Sequence, residues 1–184
     1  DVCSSDLALE KAKLSAPTTF EQLVETAKAV KTKEMGGFFA GNDGGVGVLG
    51  NLLIWASGFD QLNDDHTDVA FMEQAFFDAV AAYRDFYKSG ALLTAASKDW
   101  FDASPFTNGE TAMQWGGLWS LGDISKKWKD DFGVIPFPAI GKSGKQAVPF
   151  GAYGSCVAAK GASNDVEAAK KYAKWLWVDQ TDKQ

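Results

Sequence analysis

Clustered positive charge, long apolar runs and paired metal-ligating residues are all scarce in this sequence. Lys and Arg number 18 against 24 Asp and Glu, for a formal net charge of −6, and no basic run interrupts that balance. A surface that grips phosphate backbones needs clustered Lys and Arg, so nucleic acid is not an expected partner. The apolar stretches are broken by Gly, Asp or Lys within about ten positions, short of the roughly 18 residues of a membrane-spanning helix. Histidine occurs once, at His66, and cysteine twice, at Cys3 and Cys156. What is abundant is aromatic: 13% of the 184 residues, with seven tryptophans.

The first seven residues, Asp1 to Leu7, have no periodicity, no cationic region and no apolar core, so they are not a secretory signal. They resemble the translated remnant of a sequencing adapter and are set apart here as non-native, outside the expected fold. Cys156 then stands alone, which excludes an intramolecular disulfide or a multi-cysteine metal site.

Helices alternate with short strands along the rest. Thr18 and Glu21 read as a capping box opening a helix with Phe20, Leu23, Val24, Ala27 and Val30 at helical spacing. Phe38 to Ala40 reads as a buried strand and Val48 to Ser57 as an apolar helix ended by Gly58. Met72, Ala75, Phe76, Ala79, Val80, Tyr83, Phe86 and Tyr87 form one helical stripe, closed by Lys88-Ser89-Gly90. Lys98 to Asn108 reads as a helix that Pro105 ends or kinks. Thr111 to Trp115 and Phe132 to Pro136 read as strands flanking a helix from Leu118 to Lys129. Ala147 to Ala158 reads as extended, with Cys156 buried in a strand, and Asn164-Asp165 cap a last helix. This alternation predicts an α/β layer architecture.

Several constellations carry chemistry elsewhere and are weighed by what they lack. Gly45-Val46-Gly47-Val48-Leu49-Gly50 is a literal G-x-G-x-x-G between a strand and a helix, where a dinucleotide's pyrophosphate would sit. The fingerprint also needs a strand ending in an acidic residue about 20 positions later, and that window holds an acidic turn and a long helix. His66 lies in this turn with Asp64, Asp65 and Asp68. A zinc site needs a second His or Cys ligand nearby, and a calcium loop needs a glycine and a distant glutamate that are missing; the reading is a solvated turn. A His66–Cys156 nucleophilic dyad is disfavoured by the expected burial of the thiol. Asp60, Asp99, Asp102, Glu110 and Asp123 are of the type a glycosidase uses, but nothing pairs any two across the required gap. No metal and no cofactor is expected.

The seven tryptophans exceed what the aliphatic helix stripes need for packing, and an indole N–H requires a partner. Trp119 and Tyr153 each follow a glycine closely at a strand-to-loop junction, where backbone can approach a ligand. An indole face can stack on the apolar face of a sugar ring while neighbouring polar groups reach its hydroxyls.

The segment Thr111-Ala112-Met113-Gln114-Trp115-Gly116-Gly117-Leu118-Trp119 closely resembles the "A-M-x-x-x-G-x-W" stretch of the extracellular solute-binding proteins of sugar ABC importers, the maltose-binding-protein class. Five further stretches agree in order: Pro17 to Leu23, Phe106 to Glu110, Phe132 to Pro138, Gly151 to Gly154 and Asn164 to Ala169. Together they span residues 16 to about 180. The resemblance implies a periplasmic-binding-protein-like (type II) α/β lobe with a hinge segment, part of an incomplete two-lobe receptor. Residues 8–146 would be mainly one lobe, and 147–184 a hinge crossing with a helix of the other lobe.

It further implies a non-enzymatic, monomeric, extracytoplasmic receptor, periplasmic or lipid-anchored, that binds a sugar or oligosaccharide and delivers it to the permease subunits of an ABC transporter. The residues it marks for the ligand are Trp119, Gly117, Trp115, Gly151 and Tyr153, with polar contacts from the Asn42-Asp43 turn. Gly116 and Leu118 stand where relatives often carry Asn and Pro, and Ala152 replaces the second glycine of the usual pair.

Overall fold

Residues 2–7 of the segment set apart on sequence grounds lie in regular structure. The computed structural model describes residues 2–45, 49–142, 144–149, 154–157 and 165–180. In it β1 (Val2–Ser5) lies inside a four-stranded sheet, followed directly by α1 (Asp6–Ala12). Strand pairing is made by the main chain, which every residue but proline carries in full, so a four-residue segment with no hydrophobic pattern can still fill a place in a ladder.

α2 (Phe20–Val30) starts one residue later than the sequence suggests. Its N-cap is Thr19, whose hydroxyl accepts from the Gln22 backbone N–H at 3.2 Å, while the Gln22 carboxamide oxygen accepts from the Thr19 N–H at 3.3 Å. A Gln side chain closes a capping box as well as a Glu does, and Thr18 reinforces this one by donating to the same oxygen at 2.8 Å. α2 buries Phe20, Leu23 and Ala27 in the core shared with β2 (Gly36–Phe39), all four of whose residues are buried. Gly37 permits this approach, because a Cβ there would collide with the Ala27 carbonyl.

α3 (Leu49–Ala56) and α4 (Gln74–Lys88) follow. Where the sequence suggests a short helix at Lys98 to Asn108, only α5 (Ser104–Thr107) forms. Pro105 lies in its first turn, where the missing N–H costs nothing, so the proline begins this helix instead of ending one. β3 (Thr111–Trp115), a single turn of 3₁₀-helix at Leu118–Ser120, α6 (Leu121–Trp128) and β4 (Phe132–Ile135) complete the sheet region.

The strand order is β2-β3-β1-β4. β2 and β3 are parallel, with Gly36 opposite Thr111 and Phe38 opposite Met113, whereas β1 runs antiparallel to both β3 and β4. One main core joins Met113 and Trp115 of β3 to Phe20, Leu23, Phe38, Leu52, Tyr83, Phe86 and Phe137. Ala112 belongs instead to a small cluster with Leu9 and Val30, and Phe106 and Ile124 form another packed on Trp128. Each fully buried Phe or Leu contributes roughly 1.5–3 kcal/mol before entropy is counted.

The chain divides into two compact units, Asp1–Pro149 and Phe150–Gln184. In the second, Asp165 caps α7 (Val166–Lys174) by accepting from the Ala168 N–H at 2.8 Å, and a π-helical turn spans Trp175–Asp179. Neither element buries a side chain. Asn164, the expected co-cap, lies outside the described residues. Cys156 is exposed and in no strand, contrary to the buried strand expected for it. Among the described residues Gly154 to Val157 form no strand, so the glycine-interrupted extended stretch does not bury the thiol.

Candidate functional site

The C-terminal end of β3 is where aromatic surface meets solvent. Gly116 and Gly117 lead out of the strand, and the 3₁₀ turn sets Trp119 with 56% of its surface exposed. Its indole N–H donates to the Phe101 carbonyl at 3.1 Å. Gly117 lies under the ring, and any Cβ there would overlap the six-membered edge of the indole.

Trp115 is only 5% exposed, one layer deeper. Its ring packs on Trp100 with centroids 4.9 Å apart and planes 33° apart. Trp100 in turn meets Trp119 at 5.2 Å, nearly edge to face at 76°, and Phe101 at 6.0 Å and 85°. Both geometries are favourable for aromatic pairs. Three indoles therefore run from the core to the surface, and Phe101, also 56% exposed, flanks the outermost.

The loop carrying Trp100 and Phe101 is tied down along its length. The Asn42 N–H donates to the Lys98 carbonyl at 2.9 Å, and Lys98 pairs with Asp102 at 3.4 Å. Asp102 accepts from the Ser104 N–H at 2.8 Å. Buried Gln114 of β3 donates to the Asp102 carbonyl at 2.7 Å and accepts from the Phe106 N–H at 3.2 Å. The hydrogen bonds from Ser104, with Lys98 assisting, hold the Asp102 carboxyl below the usual carboxylate range.

The same ties bring the turn after β2 alongside. Gly41 adopts φ +117°, a region open to glycine, with Trp100 close by. Asn42 and Asp43 are exposed, and Asp43 accepts from the Gly45 N–H at 2.8 Å. Beneath them the buried Tyr83 hydroxyl donates to the Gly44 carbonyl at 2.7 Å. Burial, helped by the Asp43 carboxylate, pushes the Tyr83 pKa up and keeps the phenol neutral.

Of the seven residues marked in the sequence, the structure thus gathers Trp119, Gly117, Trp115, Asn42 and Asp43 around the loop of Trp100, with Trp115 covered. Gly151 and Tyr153 lie outside the described residues. Trp100 and Phe101 were missed. The signal available was two consecutive aromatics between acidic residues in a non-periodic stretch, where an irregular backbone rarely buries both.

The rival constellations look different in three dimensions. Val46 to Val48 of the glycine-rich stretch lie outside the described residues, and α3, a turn and α4 follow it before the next named strand, β3. Asn63 organises the acidic turn by accepting from the Thr67 and Asp68 N–H groups at 2.9 and 3.2 Å, with His66 exposed. No cluster of three His, Cys, Asp or Glu able to hold a metal occurs among the described residues. Asp102, with its lowered pKa, has the opposite character to the proton donor a glycosidase needs.

Residues 3–184 match the model of a bacterial extracellular solute-binding protein family, and the chain belongs to that family. Among solved structures it is similar to the maltose-bound MalE3 of T. maritima, at 25% identity and TM-score 0.62, over 79% of this chain and 39% of that one. It is also similar to a Listeria monocytogenes ABC substrate-binding protein in complex with cycloalternan, at 15% identity and TM-score 0.65, over 95% and 45%. A third is UgpB of Mycobacterium tuberculosis in complex with glycerophosphocholine, at 20% identity and TM-score 0.59, over 74% and 35%. The chain therefore spans less than half the length of these proteins.

Proposed function

We propose that this chain is part of the substrate-binding component of an ABC transporter, a receptor that takes a sugar or oligosaccharide in a cleft between two lobes and hands it to a membrane permease. The observation that carries the reading is the Trp119 indole, half exposed beside Gly117 and packed on Trp100, whose loop is hydrogen-bonded to the Asn42-Asp43 turn. A flat apolar ring with polar groups beside it suits a pyranose, whose faces are apolar and whose edge carries hydroxyls. Residues 8–146 supply mainly one wall of the cleft, and residues 147–184 form a hinge crossing and a helix of the other lobe. Trp119 stacks on the ligand, Asn42 and Asp43 reach its hydroxyls, and Gly151 and Tyr153 line the cleft. The receptor is extracytoplasmic, acts as a monomer and performs no chemistry on its ligand.

Two ligand classes occur among the similar structures, so the test spans both. The full-length protein is titrated calorimetrically with maltose, cycloalternan and glycerophosphocholine. Micromolar or tighter binding of a sugar, recovered unmodified, is the expected result. Binding of glycerophosphocholine alone would move the ligand class away from sugars, and recovery of hydrolysed sugar would overturn the receptor reading.

A further inference from the structure

An exposed tryptophan on a turn ordinarily samples several rotamers, yet Trp119 is held from three directions. Its N–H is committed to the Phe101 carbonyl, its ring meets Trp100 edge to face, and Gly117 lies beneath it. Two of these three contacts come from one loop, which is itself fastened to β3 by Gln114 and to the turn after β2 by the Asn42 N–H. Trp100 is braced from below by Trp115, which is buried in the main core.

We propose that Trp100 is a positioning residue for Trp119: the packed series Trp115, Trp100, Trp119 extends the rigidity of the core to the surface ring and fixes which face it offers. The committed N–H has a second consequence. Trp119 cannot donate to a ligand hydroxyl without giving up Phe101, so it recognises its ligand by ring-face contact alone. Hydroxyl recognition is left to other groups, and the loop of residues 97–102 becomes part of the binding apparatus without touching the ligand through Trp100. The ligand-binding consequence rests on the sugar-receptor reading, whereas the positioning of the ring does not.

The full-length protein labelled with fluorotryptophan tests both. The fluorine resonance of Trp119 is identified as the one lost in Trp119→Phe. In Trp100→Ala it is expected to sharpen and move toward the position of a solvent-averaged indole, and in Trp100→Phe to return near its original place. Maltose affinity is expected to fall about tenfold in Trp100→Ala and to recover to within about threefold in Trp100→Phe, as befits lost preorganisation. Should Trp100→Ala fail to fold, Trp100→Leu retains bulk without a ring and is read the same way. An unmoved Trp119 resonance overturns the positioning role, and a moved resonance with unchanged maltose affinity overturns its consequence for binding. If the unaltered protein binds no maltose, the sugar reading is in difficulty, and the resonance alone decides the positioning role.

Discussion

Trp119 and Gly117 form a pair in which the smaller residue sets the larger. Trp119→Ala in the full-length receptor is expected to weaken sugar binding by about 1–3 kcal/mol, the scale of a lost aromatic anchor, read as the change in dissociation constant by calorimetry. Gly117→Ala is expected to weaken binding as well with Trp119 intact, because the added methyl displaces the indole from its seat. Equal affinities for Gly117→Ala and the unaltered protein would show that the ring's placement does not matter. Asp102 makes a separate prediction, in acid. Its folded pKa is lowered by Ser104 and Lys98, so the carboxylate stabilises the loop above its unfolded value of 3.8 and that contribution is lost as pH falls through the lower folded value. Asp102→Asn should therefore flatten the loss of stability below about pH 4, measured by denaturant unfolding across the acid range.

At the level of elements, much was legible because local chemistry coincided with tertiary need. Thr111 to Trp115 reads as a strand and is one, and α4 buries Ala79, Tyr83 and Phe86 of its apolar stripe, although Met72 lies ahead of the helix and Val80 and Tyr87 are exposed. The capping box of α2 was legible in kind but misplaced by one residue, since burying Phe20 fixes the register. Thr19→Ala is expected to cost about 1 kcal/mol of stability and Thr18→Ala less, a ranking that urea denaturation midpoints would check. β1 was illegible, because its place is secured by main-chain ladders to distant strands. The site divides the same way. Trp119 was marked by its glycine-rich approach and the surrounding motif, whereas Trp100 matters only through rings that meet it from β3 and the following turn. Contacts of that kind leave no periodicity in the sequence.

For the whole molecule, the proposed receptor reading and a span of less than half the length of the similar solved structures imply that the chain supplies one wall of the cleft. A cleft with one wall cannot bury the 70–90% of ligand surface typical of a closed site, and hinge closure requires two bodies. Titrated with the same sugar, residues 1–184 are expected to bind far more weakly than the full-length protein. Equal affinity would count against the two-lobe receptor.

The place of β1 also sets an order of events. Val2 pairs with Trp115 and with Ile135, so β1 waits for partners that lie far along the chain and are synthesised much later. Loop closure over such distances is slow. While α2 and α4 can collapse on β2 early, the facing edges of β3 and β4 remain open until the N-terminal strand inserts between them. That interval exposes unpaired backbone to neighbouring chains. The rate at which the sheet closes, beside the strength of the finished core, then bears on how much of this unit escapes aggregation during synthesis.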